Sequence, residues 1–126
     1  MPLAHDIAEY LEDQGFGTVG TNIIIGEMPD GPDTCIAVYE YAGSPPDLVW
    51  EGEYPSCQVR NRDKVFADAH DVAYEIMTTL HTLTYQTIEG VLYYYISAKG
   101  SPEQLGRDAN RRFEFVTNFA VIKEIE

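Results

Sequence analysis

KVFADAHDVAYEIMTTLHTL, from Lys64 to Leu83, is the stretch on which the fold turns. Phe66, Ala69, Ala73, Ile76, Met77, Leu80 and Leu83 recur at helical spacing, while Asp68, Asp71 and Glu75 fall on the opposite side. That pattern predicts a long amphipathic helix over 64–83 with a broad apolar stripe turned toward a core. The surface that receives the stripe comes later in the chain. Over 110–122, Phe113, Phe115, Thr117, Phe119 and Val121 occupy every second position, the period of a strand with one buried face. The two periods are satisfied together if the phenylalanine face packs on Ile76, Met77 and Leu80.

Working outward, Leu3, Ile7, Tyr10 and Leu11 predict a first amphipathic helix over 2–14, stopped by Gly15-Phe16-Gly17. Ile23–Ile25 and 34–41 read as strands. Pro29-Asp30-Gly31-Pro32 between them is turn chemistry, so the pair reads as a hairpin with a rigid acidic tip. The segment 42–54 is punctuated by Gly and Pro and reads as a long loop. It leads into a strand at 56–62. Val91 to Ala98 reads as a buried strand, and 100–108 as a polar loop. The expected architecture is α+β: two helices packed on one face of a mostly antiparallel or mixed sheet of four to six strands, in a single domain over 1–126.

Composition narrows the function. The chain of 126 residues is 44% hydrophobic and carries a formal charge of −13, unevenly distributed. Residues 1–59 hold eleven acids and no Lys or Arg, whereas 60–126 hold ten acids and eight bases. Specific binding to nucleic-acid phosphates is disfavoured by that balance. No apolar run is long enough to span a bilayer, and the N-terminus lacks the basic region of a signal peptide, so a cytosolic chain without a membrane segment is expected. Cys35 and Cys57 lie in apolar strands and are expected to be reduced and buried.

Motifs for chemistry are weak. Gly15-Phe16-Gly17-Thr18-Val19-Gly20 matches G-x-G-x-x-G, but it follows a helix and precedes a strand, the reverse of a dinucleotide site, so no cofactor is expected. His70 and His81 are eleven residues apart on one predicted helix, roughly 16 Å, which is too far to share a metal. Asp30 and Asp33 lack the alternating ligands of a calcium loop, and no serine or cysteine sits in a nucleophile setting. No catalytic residue is assigned. The residues that invite a partner are Leu48, Val49 and Trp50, large apolar groups after Pro45-Pro46, followed by the turn residues Pro29, Asp30 and Asp33. Trp50 has two readings: an exposed anchor on a stiffened loop, or the start of a strand folded back on its own core.

The run from Gly26 to Tyr41, then Gly43, Pro45 and Pro46, and then Gln58-Val59-Arg60-Asn61-Arg62-Asp63, resembles the phage minor capsid family of tail terminators of long-tailed bacteriophages. Tyr93-Tyr94-Tyr95-Ile96 and Phe113-Glu114-Phe115 follow in the expected order, so the resemblance covers nearly the whole chain. Asn61 departs from it, standing where the strand alternation calls for an apolar residue. The resemblance implies a structural protein of the virion, assembled in the host cytoplasm and sited at the head–tail junction. It implies a homo-oligomeric ring, usually of six subunits, that caps the tail tube protein and offers a surface to the head connector or stopper protein, with DNA passing through the lumen. The competing class is an acidic inhibitor, a DNA mimic that covers a basic partner, which the base-free first half would suit.

Overall fold

The computed structural model describes residues 2–46 and 49–125. Helix α1 (Leu3–Asp13) buries Leu3, Ala4, Ile7, Ala8 and Leu11 on one stripe, as its spacing requires. Its N-terminus has no local side-chain cap. The Glu40 carboxylate takes that part, accepting from the Ala4 amide at 3.1 Å, where a negative charge also meets the positive end of the helix. After Gly15, in the left-handed region at φ +89°, the chain turns through Thr18–Asn22 into strand β1 (Ile23–Ile25).

Strand β2 (Cys35–Ser44) pairs with β1 in parallel, Ile23 beside Ile36 and Ile25 beside Val38. The expected hairpin is therefore absent. Parallel strands need a return path, and residues 26–34 provide it, leaving β1 at Gly26, whose φ of +84° turns the chain, and running back outside the sheet. The true hairpin is β2 with β3 (Gly52–Asp63), antiparallel from Cys35/Arg62 to Ser44/Tyr54. Both strands extend into the segment expected to be loop. Gly43 makes their close approach possible, because a Cβ there would meet the Tyr54 carbonyl oxygen at 1.8 Å. Strand β3 continues past Asn61 to Asp63, since the buried Asn61 amide donates to the Ala69 carbonyl at 2.8 Å and so ties the strand to the next helix.

Helix α2 (Phe66–Leu80) buries Ala69, Ala73, Ile76 and Leu80, with Asp68, Asp71 and Glu75 exposed. It ends three residues short of the expected Leu83. His81 takes extended backbone and Thr82 a φ of 66°, and Leu83 opens strand β4 (Leu83–Ile88). β4 returns through Glu89-Gly90, both at positive φ, into β5 (Val91–Ala98), the geometry of a two-residue hairpin turn. The segment read as a polar loop contains strand β6 (Glu103–Arg107), and β7 runs over Phe113–Glu124.

The sheet order is β1-β2-β3-β7-β5-β4, with β6 also on β7. β7 is central: β3 pairs along one edge from Gly52/Glu124 to Asp63/Phe113, while β5 and β6 share the other edge end to end. The fold is α+β, but with seven strands rather than four to six. The helices do not form a layer on one face either. α1 touches β1 and β2 at one end of the order and β4 at the other, so the sheet curls around it, and α2 lies across β3, β7 and β5. One core joins Ile7 and Leu11 of α1, Ile76 and Leu80 of α2, and Val38, Val59 and Phe119 of the sheet. The expected meeting of the phenylalanine face with the α2 stripe holds in part: Phe119 shares the main core with Ile76 and Leu80, whereas Phe115 and Phe113 pack with Ala69 and Ala73 in a second cluster and Met77 is in neither.

Two polar ties sit on the buried faces. The Tyr93 hydroxyl donates to the fully buried Asp6 carboxylate at 2.6 Å, joining β5 to α1. Lys123 continues the inward-facing register of Phe119 and Val121, and its ammonium lies 2.6 Å from Glu53 on the adjacent strand. A lysine is tolerated in such a position only when its charge is matched there.

Candidate functional site

Leu48 lies outside the described residues. Val49 and Trp50 stand at the free end of the β2–β3 hairpin, where the chain turns between the strands. Trp50 combines its two readings. Its ring folds back over Gly52, where an added Cβ would lie 1.7 Å from it, and packs against Tyr94 at 5.1 Å and Tyr54 at 6.0 Å between centroids. It nevertheless remains 37% exposed, with Val49 beside it 96% exposed. Tyr85 of β4, itself 73% exposed, meets the same Tyr94 edge-on at 5.9 Å. A groove runs between Val49, Trp50, Glu51, Tyr94, Glu124 and Ile125. The result is an aromatic patch whose rim is acidic.

Pro29, Asp30 and Asp33 occupy a different place from the one expected. They lie on the return path between two parallel strands instead of at a hairpin tip, with Asp30 and Asp33 still exposed. The buried Arg62 guanidinium donates to three carbonyls of the return path, those of Pro29 (2.6 Å), Pro32 (2.5 Å) and Asp33 (3.2 Å). The equally buried Arg112 donates to the Asp30 carbonyl, to the Asp33 carboxylate at 3.3 Å and to Asp108 at 2.8 Å. Lys64 lies 3.2 Å from the other oxygen of Asp33. These contacts fasten 26–34 against the ends of β3 and β7. Sequence reading missed both arginines. The signal available was the position of Arg62 at the end of an apolar alternation in a base-poor chain.

The electrostatics of this fastening set a pH dependence. Lys64 beside Asp33, helped by Arg112 and opposed by partial burial, holds that carboxyl below its ordinary range. Burial pushes Asp108 upward, but the hydrogen bonds and charge of Arg112 outweigh it and the carboxyl is again lowered. A lowered carboxyl stabilises the fold above its unfolded-state range and loses that contribution as pH falls through the folded value. We therefore expect the amides of Asn110 and Arg112, which donate to Asp108, to lose protection at a pH well below the ordinary carboxylate range, while core amides of β7 keep theirs. Hydrogen exchange compared at that pH and near neutrality checks this; uniform loss across the chain would contradict it.

A second exposed aromatic group lies at the far end of the sheet. Phe66, at the start of α2 and 44% exposed, stacks edge-on against Phe113 at 5.4 Å. His70 lies 4.6 Å from Tyr74, centroid to centroid, and the Arg107 guanidinium covers the Phe113 ring at 4.6 Å. Exposed Lys64, Arg107 and Arg111 surround this end, with Asp71 beside His70. The cysteines are free and buried, and burial pushes the Cys57 thiol up to about 12. No cluster of metal-ligating side chains occurs among the described residues. No described helix is long and apolar enough to cross a membrane.

Comparison with known proteins adds three findings. No curated protein matches the chain. One solved structure, identified only by a sequence number, superposes with a TM-score of 0.56 at 10% identity and covers 99% of each chain, a likeness of fold alone. The model of the bacteriophage tail terminator protein family matches residues 10–125, from the middle of α1 to just past the end of β7. The elements matched include the β2–β3 hairpin, the fastened return path and the central strand, so the chain belongs to the bacteriophage tail terminator protein family.

Proposed function

We propose that this chain forms a closed ring, of six subunits in the usual arrangement, which seats on the last ring of the tail tube, stops its growth and presents its other face to the head connector or stopper protein. The reaction is geometric, with no bond made or broken. The observation that carries the reading is the Val49–Trp50 tip, an aromatic group held half-exposed on a hairpin by its own sheet. A pre-positioned aromatic loses little entropy when a partner covers it, which is what a docking contact needs. Family membership supplies the setting, a structural part of a phage tail in the virion.

The test is assembly. Wild-type protein mixed with its tail tube protein should cap tube ends in negative-stain images and fix tube length, and failure to bind tubes would overturn the reading. Trp50→Ala should impair joining strongly while costing about 1–2 kcal/mol of stability, since a half-exposed ring forfeits only part of the core value. Thermal denaturation measures the second quantity. A loss of about 3–5 kcal/mol would instead mark Trp50 as a core residue.

A further inference from the structure

The two aromatic groups lie at opposite ends of the same pair of strands. β3 and β7 pair from Gly52/Glu124, beside Trp50, to Asp63/Phe113, beside Phe66. Eleven residue steps separate the two ends, roughly 36 Å at strand rise. Their rims differ in charge, and only the second exposes bases. At the Trp50 end Glu51 is exposed, Glu53 and Glu124 stand nearby, and Lys123 is buried against Glu53. At the Phe66 end Arg107 and Arg111 are exposed on the β6 and β7 side, in a chain whose first 59 residues contain no base at all, while the acids Asp68 and Asp71 lie on the α2 side.

From this we infer that the subunit contact runs head to tail, with the Val49–Trp50–Tyr94 patch of one copy seated on the Phe66–Tyr74–Phe113 patch of the next, and Glu51 facing Arg107 across the rim. The occupant is a second copy because one chain carries both halves of the match: two aromatic surfaces of similar kind, one edged by the exposed acid Glu51 and the other by the exposed bases Arg107 and Arg111. A contact between different patches of identical chains is heterologous, and it closes into a ring when the rotation per subunit divides the circle. The Glu51–Arg107 match sets register and disfavours the like-with-like pairing of Trp50 ends. This assignment rests on the ring reading above and names its interface.

Charge exchange tests it without touching the core, since Glu51 and Arg107 are both exposed. Glu51→Arg alone places Arg against Arg107, and Arg107→Glu alone places Glu51 against Glu. Each should weaken self-association about tenfold or more, read by sedimentation at the highest soluble concentration. Mixed together, the two variants should regain wild-type association, because every contact in an alternating assembly then joins opposite charges. Native mass spectrometry should show the two in equal number. Circular dichroism verifies that each variant is folded. The assignment is overturned if either variant associates like wild type, if the mixture is no stronger than its parts, or if the wild-type chain stays monomeric throughout. Wild-type protein that caps tubes while the mixture shows no rescue defeats this interface alone; wild-type protein that binds no tubes defeats the terminator reading whatever the exchanges do.

Discussion

Replacing Phe119 with Ala lowers the stability of this chain by about 3–5 kcal/mol, the range for emptying a fully buried phenylalanine site. Phe119 is wholly enclosed on the central strand β7, between Cys57 of β3 and Ala98 of β5, and belongs to the core that Ile76 and Leu80 of α2 close from above. The loss is a large fraction of the total for a domain of this size, which is on the order of 5–15 kcal/mol. Phe113→Ala is the control. It lies on the same strand and the same face but is only half-buried, packed on Phe66 and covered by Arg107, so about 1–2 kcal/mol is expected. Chemical denaturation of the two variants checks the contrast, and equal losses would mean that the phenylalanine face is not graded from core to rim as described.

The pairing of this face with α2 was legible from the residues, though its gradation was not. A helix stripe with period 3.6 and a strand face with period two can be satisfied only against each other, and Phe115 and Phe119 do meet Ala69, Ala73, Ile76 and Leu80. What the periods concealed were places where both interpretations fit. Leu83 continues the helical spacing from Leu80, yet Thr84 to Ile88 is rich in strand formers, and the positive φ of Glu89 and Gly90 converts the segment into a hairpin. β6 escaped notice because Glu103–Arg107 is polar and largely exposed, and only its pairing with β7 makes it a strand. The strand end at Lys123 was hidden for an electrostatic reason, since a buried lysine is unreadable without knowing that Glu53 stands opposite.

The candidate surfaces show the same division. The Val49–Trp50 tip announced itself as large apolar residues after a Pro-Pro pair, and the structure leaves it exposed. Its partners Tyr94 and Tyr85 come from strands far along the chain, so no local pattern could bring them to it. Pro29, Asp30 and Asp33 carried true turn chemistry, but turn chemistry says only that the chain reverses, not where the reversal lies. Two arginines, 30 and 82 positions away from their acceptors Pro32 and Asp30, decide that the backbone of this segment is clamped to β3 and β7 while Asp30 and Asp33 stay exposed.

Arg62→Ala should therefore have an effect as large as losing the core phenylalanine, for a different physical reason. One planar guanidinium satisfies three carbonyls from Pro29, Pro32 and Asp33, and none of the three is supplied by a strand ladder. Removing it deprives three partly buried carbonyls of their donor, and hydrogen bonds from a charged group contribute about 1.5–3 kcal/mol each before any compensation by water. About 3–5 kcal/mol is expected overall, because the freed loop regains some solvation. The damage should spread to β1. That strand has three residues, and it is held beside β2 by a parallel ladder and by Gly26 donating to the Val38 carbonyl at 2.8 Å, just where the return path begins. Once the path is unfastened, Ile23, wholly buried in the core, loses the restraint on one side. Arg62→Lys separates charge from shape. An ammonium keeps the positive charge but cannot reach three divergent carbonyls in one plane, so Lys should recover less than half of the loss. Denaturation midpoints give the energies, and faster exchange of the Gly26 and Ile36 amides, with the α2 amides unchanged, locates the damage. If Lys restores full stability, charge alone holds the return path and the three-carbonyl geometry is incidental.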